Sequence, residues 1–186
     1  MSIRAPGRGP GLIMMLLFWV LLMGFGTWWV NAWIDGRFNP NADLVSVAPG
    51  ETLRLQRGAN GHFVAPGHIN GEPVTFLVDT GATIVAIPES LAARLDLPAQ
   101  GQAWFHTANG RVRGHLTLLD SVSLGGLTAH QVRGSFGPGL EGDTVLLGMS
   151  YLRHFDITMR GDTLELKAPE RLEEEAAVPS NMELSQ

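Results

Sequence analysis

The chain has 186 residues, which is room for one globular domain and a little more. Its formal net charge is −5, so it lacks the basic surplus of a nucleic-acid-binding protein. It contains no cysteine, which removes disulfides, thiolate metal sites and thiol nucleophiles from consideration. Charge is sparse, while Gly, Val, Leu and Thr are common, a composition that suits strands joined by many turns.

Residues 1–10 carry Arg4 and Arg8 and are expected on the cytoplasmic side. Gly11 to Val30 contains no charge and no proline. At helical rise, twenty such residues cover about 30 Å, the thickness of a bilayer's hydrocarbon core. Trp28, Trp29 and Trp33 cluster at the far end, where an aromatic belt meets headgroups, so a transmembrane helix is expected over 11–33. A cleaved signal peptide, cut near Val30-Asn31-Ala32, is the alternative. Both readings export the remainder of the chain, to the periplasm if the cell is Gram-negative. The polar stretch 34–50, with Asn39-Pro40-Asn41, reads as a linker.

The domain proper is expected over 51–168. Thr52–Arg57 alternates apolar and polar as a surface strand does. His62–Ile69 is a second strand, bent or broken at Pro66-Gly67, and Asn70-Gly71 marks a tight hairpin into the strand Val74–Val78. Pro88-Glu89 opens a short helix through Leu95, with proline and an acid suited to its first turn. Ala103–Thr107 and Arg111–Leu119 form a hairpin around Ala108-Asn109-Gly110, and Gly125-Gly126 joins a further hairpin. Thr144–Leu147 is a buried strand ending in Gly148, Ser150–Phe155 a short helix, and Phe155–Met159 with Thr163–Lys167 a last strand pair. Residues 169–186 are acidic and polar and are expected to be a disordered tail.

One stretch carries chemistry. Pro73-Val-Thr-Phe-Leu-Val78 is a buried strand that ends in Asp79-Thr80-Gly81-Ala82. A carboxylate at the turn between two apolar strands is poorly solvated unless something binds it. A simple β-turn, with Asp bonding local amides, is the more economical account of the bare tripeptide, so context has to carry the functional reading. The six histidines show no metal-ligand spacing, so neither a metal nor another cofactor is expected.

Three motifs in this order resemble those of the retropepsin-like aspartic proteases, and of their bacterial, membrane-anchored branch. They are Asp79-Thr80-Gly81-Ala82, the hairpin tip within Thr107-Ala108-Asn109-Gly110, and Leu146-Leu147-Gly148 ahead of a helix. The resemblance spans about Gly61 to Lys167. It implies a mainly β, barrel-like acid-protease domain with one or two short helices, preceded here by one transmembrane helix. It implies Asp79 as the catalytic acid, with Thr80, Gly81 and Ala82 supporting its loop. Thr107 to Gly110 would form a flap over substrate, and Leu146, Leu147 and Gly148 would pack beneath the active site. An aspartic protease needs two carboxylates sharing one proton around a water. Asp120, Asp143 and Asp162 lack the following glycine motif, so the second carboxylate is expected from Asp79 of another copy. The expected partners are therefore a second copy, a protein or peptide substrate and the lipid bilayer, and no nucleic acid. The family's dimer is tied by terminal strands, for which Thr163–Lys167 is the candidate. A catalytically silent, tethered peptide-binding or dimerisation module is the other reading.

Overall fold

The computed structural model describes residues 9–107, 110–138, 140 and 142–169. Two units are described separately, one ending at Phe38 and one starting at Asn39.

The first unit is the helix α1, Gly9–Phe38. Its apolar side chains are exposed on every side, from Leu12 to Phe38. A helix that is hydrophobic all round has no polar face to give to water. By length and composition it is long enough to cross a bilayer. It runs five residues past the expected end at 33, because nothing from Ile34 to Phe38 breaks it. Proline at 40 comes soon after. Near that end the Arg37 guanidinium lies 4.8 Å from the Trp33 ring centroid.

Among the described residues, the second unit holds ten strands and two short helices. A three-stranded sheet holds β1 (Leu53–Gln56), β10 (Thr163–Lys167) and β9 (Asp156–Arg160) in the order β1-β10-β9. A seven-stranded sheet runs β2-β3-β8-β4-β7-β6-β5. Its members are β2 (Phe63–Ile69), β3 (Glu72–Val78), β4 (Val85–Pro88), β5 (Gly101–Thr107), β6 (Gly110–Leu124), β7 (Leu127–Gly137) and β8 (Thr144–Leu147). A further pairing of β2 with β6 curls this sheet toward closure. Alternation along the strands sends Phe76, Ile69, Leu119, Leu124, Leu147, Leu164 and Leu166 into one apolar core.

β2 does not break at Pro66-Gly67; it pairs with β3 along its whole length. Glycine is required there because a Cβ would meet the Phe76 ring at 2.6 Å and the Ser123 carbonyl. The helices α2 (Glu89–Arg94) and α3 (Met149–Leu152) are each shorter than the sequence pattern suggests.

Two findings bear on assembly. First, β10 lies between β1 and β9, so both its edges are occupied and Thr163–Lys167 is not free to tie two copies together. Second, the stretch after α1 is not a loose arm from Asn39 onward. Asn41 is buried, and its amide brackets the end of β1. It accepts from the Gln56 N–H at 2.7 Å and donates to the Gln56 and Val64 carbonyls at 2.9 and 2.7 Å. Val47 N–H then donates to the Gly125 carbonyl at 3.0 Å. A single asparagine that satisfies three backbone groups anchors this segment.

Asn41→Ala should therefore lower stability by about 3 kcal/mol, since buried backbone groups lose their partners. Urea unfolding of the full chain in detergent, followed by circular dichroism, checks this. An unchanged midpoint would remove the anchoring role.

Candidate active site

Strand β3 delivers Asp79 at its C-terminal end, and β8 runs parallel beside it with Val78 opposite Leu147. The chain turns immediately: the Ala82 N–H donates to the Asp79 carbonyl at 3.2 Å. Within that turn the Gly81 N–H donates to Asp79 Oδ1 at 2.9 Å. The carboxylate is thus oriented by a backbone amide. A Cβ on Gly81 would lie 3.2 Å from Asp79 Oδ1, tight enough to disturb that bond.

The turn is held from below by the end of β8. Asp79 N–H donates to the Leu147 carbonyl at 3.2 Å, Met149 N–H to the Ala82 carbonyl at 2.8 Å, and Ser150 N–H to the Thr83 carbonyl at 3.0 Å. Gly148 sits between them. A Cβ there would meet the Ala82 carbonyl at 2.7 Å and would also strike the Ile84 carbonyl, so only glycine fits. Leu147 is fully buried and Leu146 half-buried. The two motifs that stand far apart in sequence are one interlocked element in space.

Ser150 fastens the same element to the rest of the sheet. Its buried hydroxyl donates to the Arg133 carbonyl at 2.7 Å and accepts the Val85 N–H at 3.1 Å. Next to it, Tyr151 is buried with its hydroxyl donating to the Leu127 carbonyl at 2.8 Å. Burial pushes this phenol well above its ordinary value, so it stays protonated.

Asp79 and Thr80 open onto a cavity of about 190 Å³ lined also by Arg57, Phe63, Val78, Met159 and Leu164. Asp79 is half-buried and Thr80 exposed. Sequence reasoning missed Arg57 and Met159 here. Arg57 follows β1 directly and reaches across: it donates to the Gly61 and Gly161 carbonyls at 3.2 and 3.3 Å, and stands 4.9 Å over the Phe63 ring. Its Nε lies 3.2 Å from Asp162 Oδ1, but the N–H is not aimed at it, so this is an ion contact rather than a directed bond. Nothing in the pattern of a surface strand marks Arg57 as a cavity wall, and Met159 reads as an ordinary strand residue.

Asp79 is the one carboxylate among the described residues that lines this cavity. The volume is below the roughly 300 Å³ at which small-molecule pockets begin, and far below what an extended peptide occupies.

The hairpin expected to act as a flap is β5 with the start of β6, paired from Gly101 opposite Leu116 to Thr107 opposite Gly110. Gly110 takes φ +109, a conformation that favours glycine. Ala108 and Asn109 lie outside the described residues, as does the tail from 170. Further down, Arg111 stands 5.4 Å over the Trp104 ring, on the exposed side of the hairpin.

Known proteins resemble this chain in the same region. Residues 65–154 match the family described as "gag-polyprotein putative aspartyl protease". A solved structure described as a retropepsin-like aspartic protease from Rickettsia conorii superposes with a TM-score of 0.52. It is 27% identical and covers 62% of this chain and 88% of that one. An uncharacterized protein in the cobV 5' region of Sinorhizobium sp is 30% identical over 151 residues, 78% of this chain. An uncharacterized protein of Rickettsia prowazekii (strain Madrid E) is 32% identical over 113 residues, 59% of this chain. The chain spans 63% and 48% of the lengths of these two relatives.

Ser150→Ala should cost about 2 kcal/mol, because the Val85 N–H and the Arg133 carbonyl lose a buried partner together. Hydrogen exchange at Val85 reports the loosening directly. Unchanged protection there would show that Ser150 does not fasten the loop.

Proposed function

From a chain that belongs to the retropepsin-like family, we propose a membrane-anchored aspartic endopeptidase that hydrolyses peptide bonds through a water held between two Asp79 residues, one from each copy of a homodimer. The observation that carries this reading is the Asp79 turn itself. Its carboxylate is aimed by the Gly81 amide and opens onto a cavity that has no second carboxylate among the described residues.

The chemistry rests on that pairing. Two carboxylates about 3 Å apart cannot both ionise, so they share one proton. The ionised member takes a proton from the water as it attacks the scissile carbonyl carbon. The protonated member gives its proton to the carbonyl oxygen, which leaves a neutral gem-diol. Collapse of that intermediate breaks the C–N bond, with the amine protonated as it departs. No covalent bond to the enzyme forms. Thr80, beside the two-fold axis, would bond across it and fix the two turns against one another. Leu146, Leu147 and Gly148 hold the turn from beneath. The flap from Thr107 to Gly110 would close over an extended peptide and exclude water.

The helix α1 supports a membrane location, with residues 1–10 cytoplasmic and the protease domain outside, periplasmic in a Gram-negative cell. Confining two copies to one bilayer raises their effective concentration, which favours a dimer that would be weak in free solution.

Asp79→Asn should abolish cleavage of a peptide library by the full chain in detergent micelles. With wild type, activity per molecule should rise as the protein-to-micelle ratio rises, because only the dimer holds two carboxylates. Cleavage that survives Asp79→Asn would exclude this mechanism. A folded dimer that cuts nothing from acid to neutral pH would point instead to a silent peptide-binding module.

A further inference from the structure

The stretch 34–50 reads in sequence as a linker, and a free linker of that length would span roughly 55–60 Å when extended. The structure leaves almost none of it free. α1 continues to Phe38. Asn39 to Ala42 then forms a turn, in which the Ala42 N–H donates to the Asn39 carbonyl at 3.2 Å. Asn41 is 5% exposed and is bonded to the backbone of Gln56 and Val64. Leu44 and Val47 pack against the core, and the Val47 N–H is held by the Gly125 carbonyl. From Asn41 onward the leash is fastened to the domain.

The point of attachment lies beside the candidate site. Arg57 follows Gln56, Phe63 precedes Val64, and both Arg57 and Phe63 are walls of the Asp79 cavity. Asn39, the first residue of the second unit, is two peptide units from Asn41. One side chain and one hydrogen bond separate Asn41 from Gln56, and one more peptide unit leads to Arg57. The path from Asn39 to the cavity wall is therefore roughly 20 Å at most. A domain of this length is about 35 Å across, so an attachment on its far side would stand nearly twice as far from the site. The bound comes from the connectivity of the chain and holds whichever way α1 is directed. At the membrane end, Trp33 marks the expected headgroup level, and Phe38 lies about 7.5 Å further along the helix. The cavity wall thus stays within roughly 30 Å of the headgroups, the reach of about nine extended residues.

We propose that the substrates are other membrane-bound proteins, cut in an extracytoplasmic segment within about ten residues of the point where their chain leaves the lipid. This rests on the proposed membrane-anchored protease and names the substrate class of its site. A free peptide reaches the cavity by diffusion. A bond on a second membrane protein reaches it only if it lies in the same layer. Two chains confined to one bilayer also meet at a raised effective concentration, so a short tether selects bonds close to the membrane and leaves out those that stand further away.

The test uses the full chain in lipid nanodiscs. Because the protein has no cysteine, a single introduced thiol takes a label cleanly. His62→Cys, on the cavity wall, carries a donor fluorophore, and the lipid headgroups carry an acceptor. Energy transfer should be strong, and should fall about fivefold when a helical spacer of about 25 residues, roughly 37 Å, is inserted between Phe38 and Asn39. For cleavage, a sequence that wild type cuts as a free peptide is placed on a single-span helix in the same nanodisc, either next to the bilayer or beyond a spacer of the same length. Wild type should cut the near site about tenfold faster than the far one, and the spacer-bearing protein should reverse that order. Both should cut the free peptide at the same rate. Weak energy transfer without the spacer, or equal cutting of near and far sites, would overturn the substrate class and leave the protease reading standing. No Asp79-dependent cleavage of any free peptide would remove the protease reading, and the substrate class with it.

Discussion

Everything in this domain depends on two chain segments that lock around one turn. Asp79 can point its carboxylate outward only because its backbone is held by Leu147, and Leu147 and Met149 are held in turn by the loop that Asp79 begins. Gly148 makes the lock possible, since any side chain there would push the carbonyls of Ala82 and Ile84 apart. A carboxylate at the end of a buried strand carries a desolvation cost, and backbone amides offset it without adding a second charge. The Gly81 amide does this at 2.9 Å. The turn is thus held by its own backbone bonds.

The parallel pairing of β3 with β8 explains why the lock spans so much of the chain. Parallel strands need a crossover, and here the crossover holds β4, α2 and the strands β5 to β7. The β5–β6 hairpin is therefore an insertion between the two interlocked segments. β6 is long enough to serve both ends: its later part pairs with β2 and β7 in the core, while its start pairs with β5. One strand ties that hairpin to the buried sheet without a joint.

Much of this is legible in the sequence, for identifiable reasons. Strands with strict alternation or short apolar runs, such as Leu53–Gln56 and Thr144–Leu147, have one periodicity and one reading. Asn-Gly and Gly-Gly turns carry φ-positive positions that other residues avoid, and Gly71, Gly125 and Gly126 occupy them. The three motifs around Asp79, Asn109 and Gly148 are recognised by resemblance, and the structure joins the first to the third through backbone bonds. The hidden part depends on contacts between distant residues. The role of Asn41 cannot be read from a polar stretch, because its partners Gln56 and Val64 are decided by folding. Arg57 and Met159 line the cavity for the same reason. The place of β10 in the centre of its sheet is a matter of strand order, which alternation does not encode.

That strand order limits what the terminal strands can do. The small sheet borders Asp79 through Met159 and Leu164. Had β10 lain at the edge, exchange of terminal strands between copies would have been the direct route. With β10 enclosed, exchange would require breaking its pairings to both β1 and β9, at a loss of backbone hydrogen bonds on two sides. The asparagine that occupies both backbone groups of Gln56 lies only three residues beyond the end of α1. The segment just after that helix is thus part of how the small sheet is built.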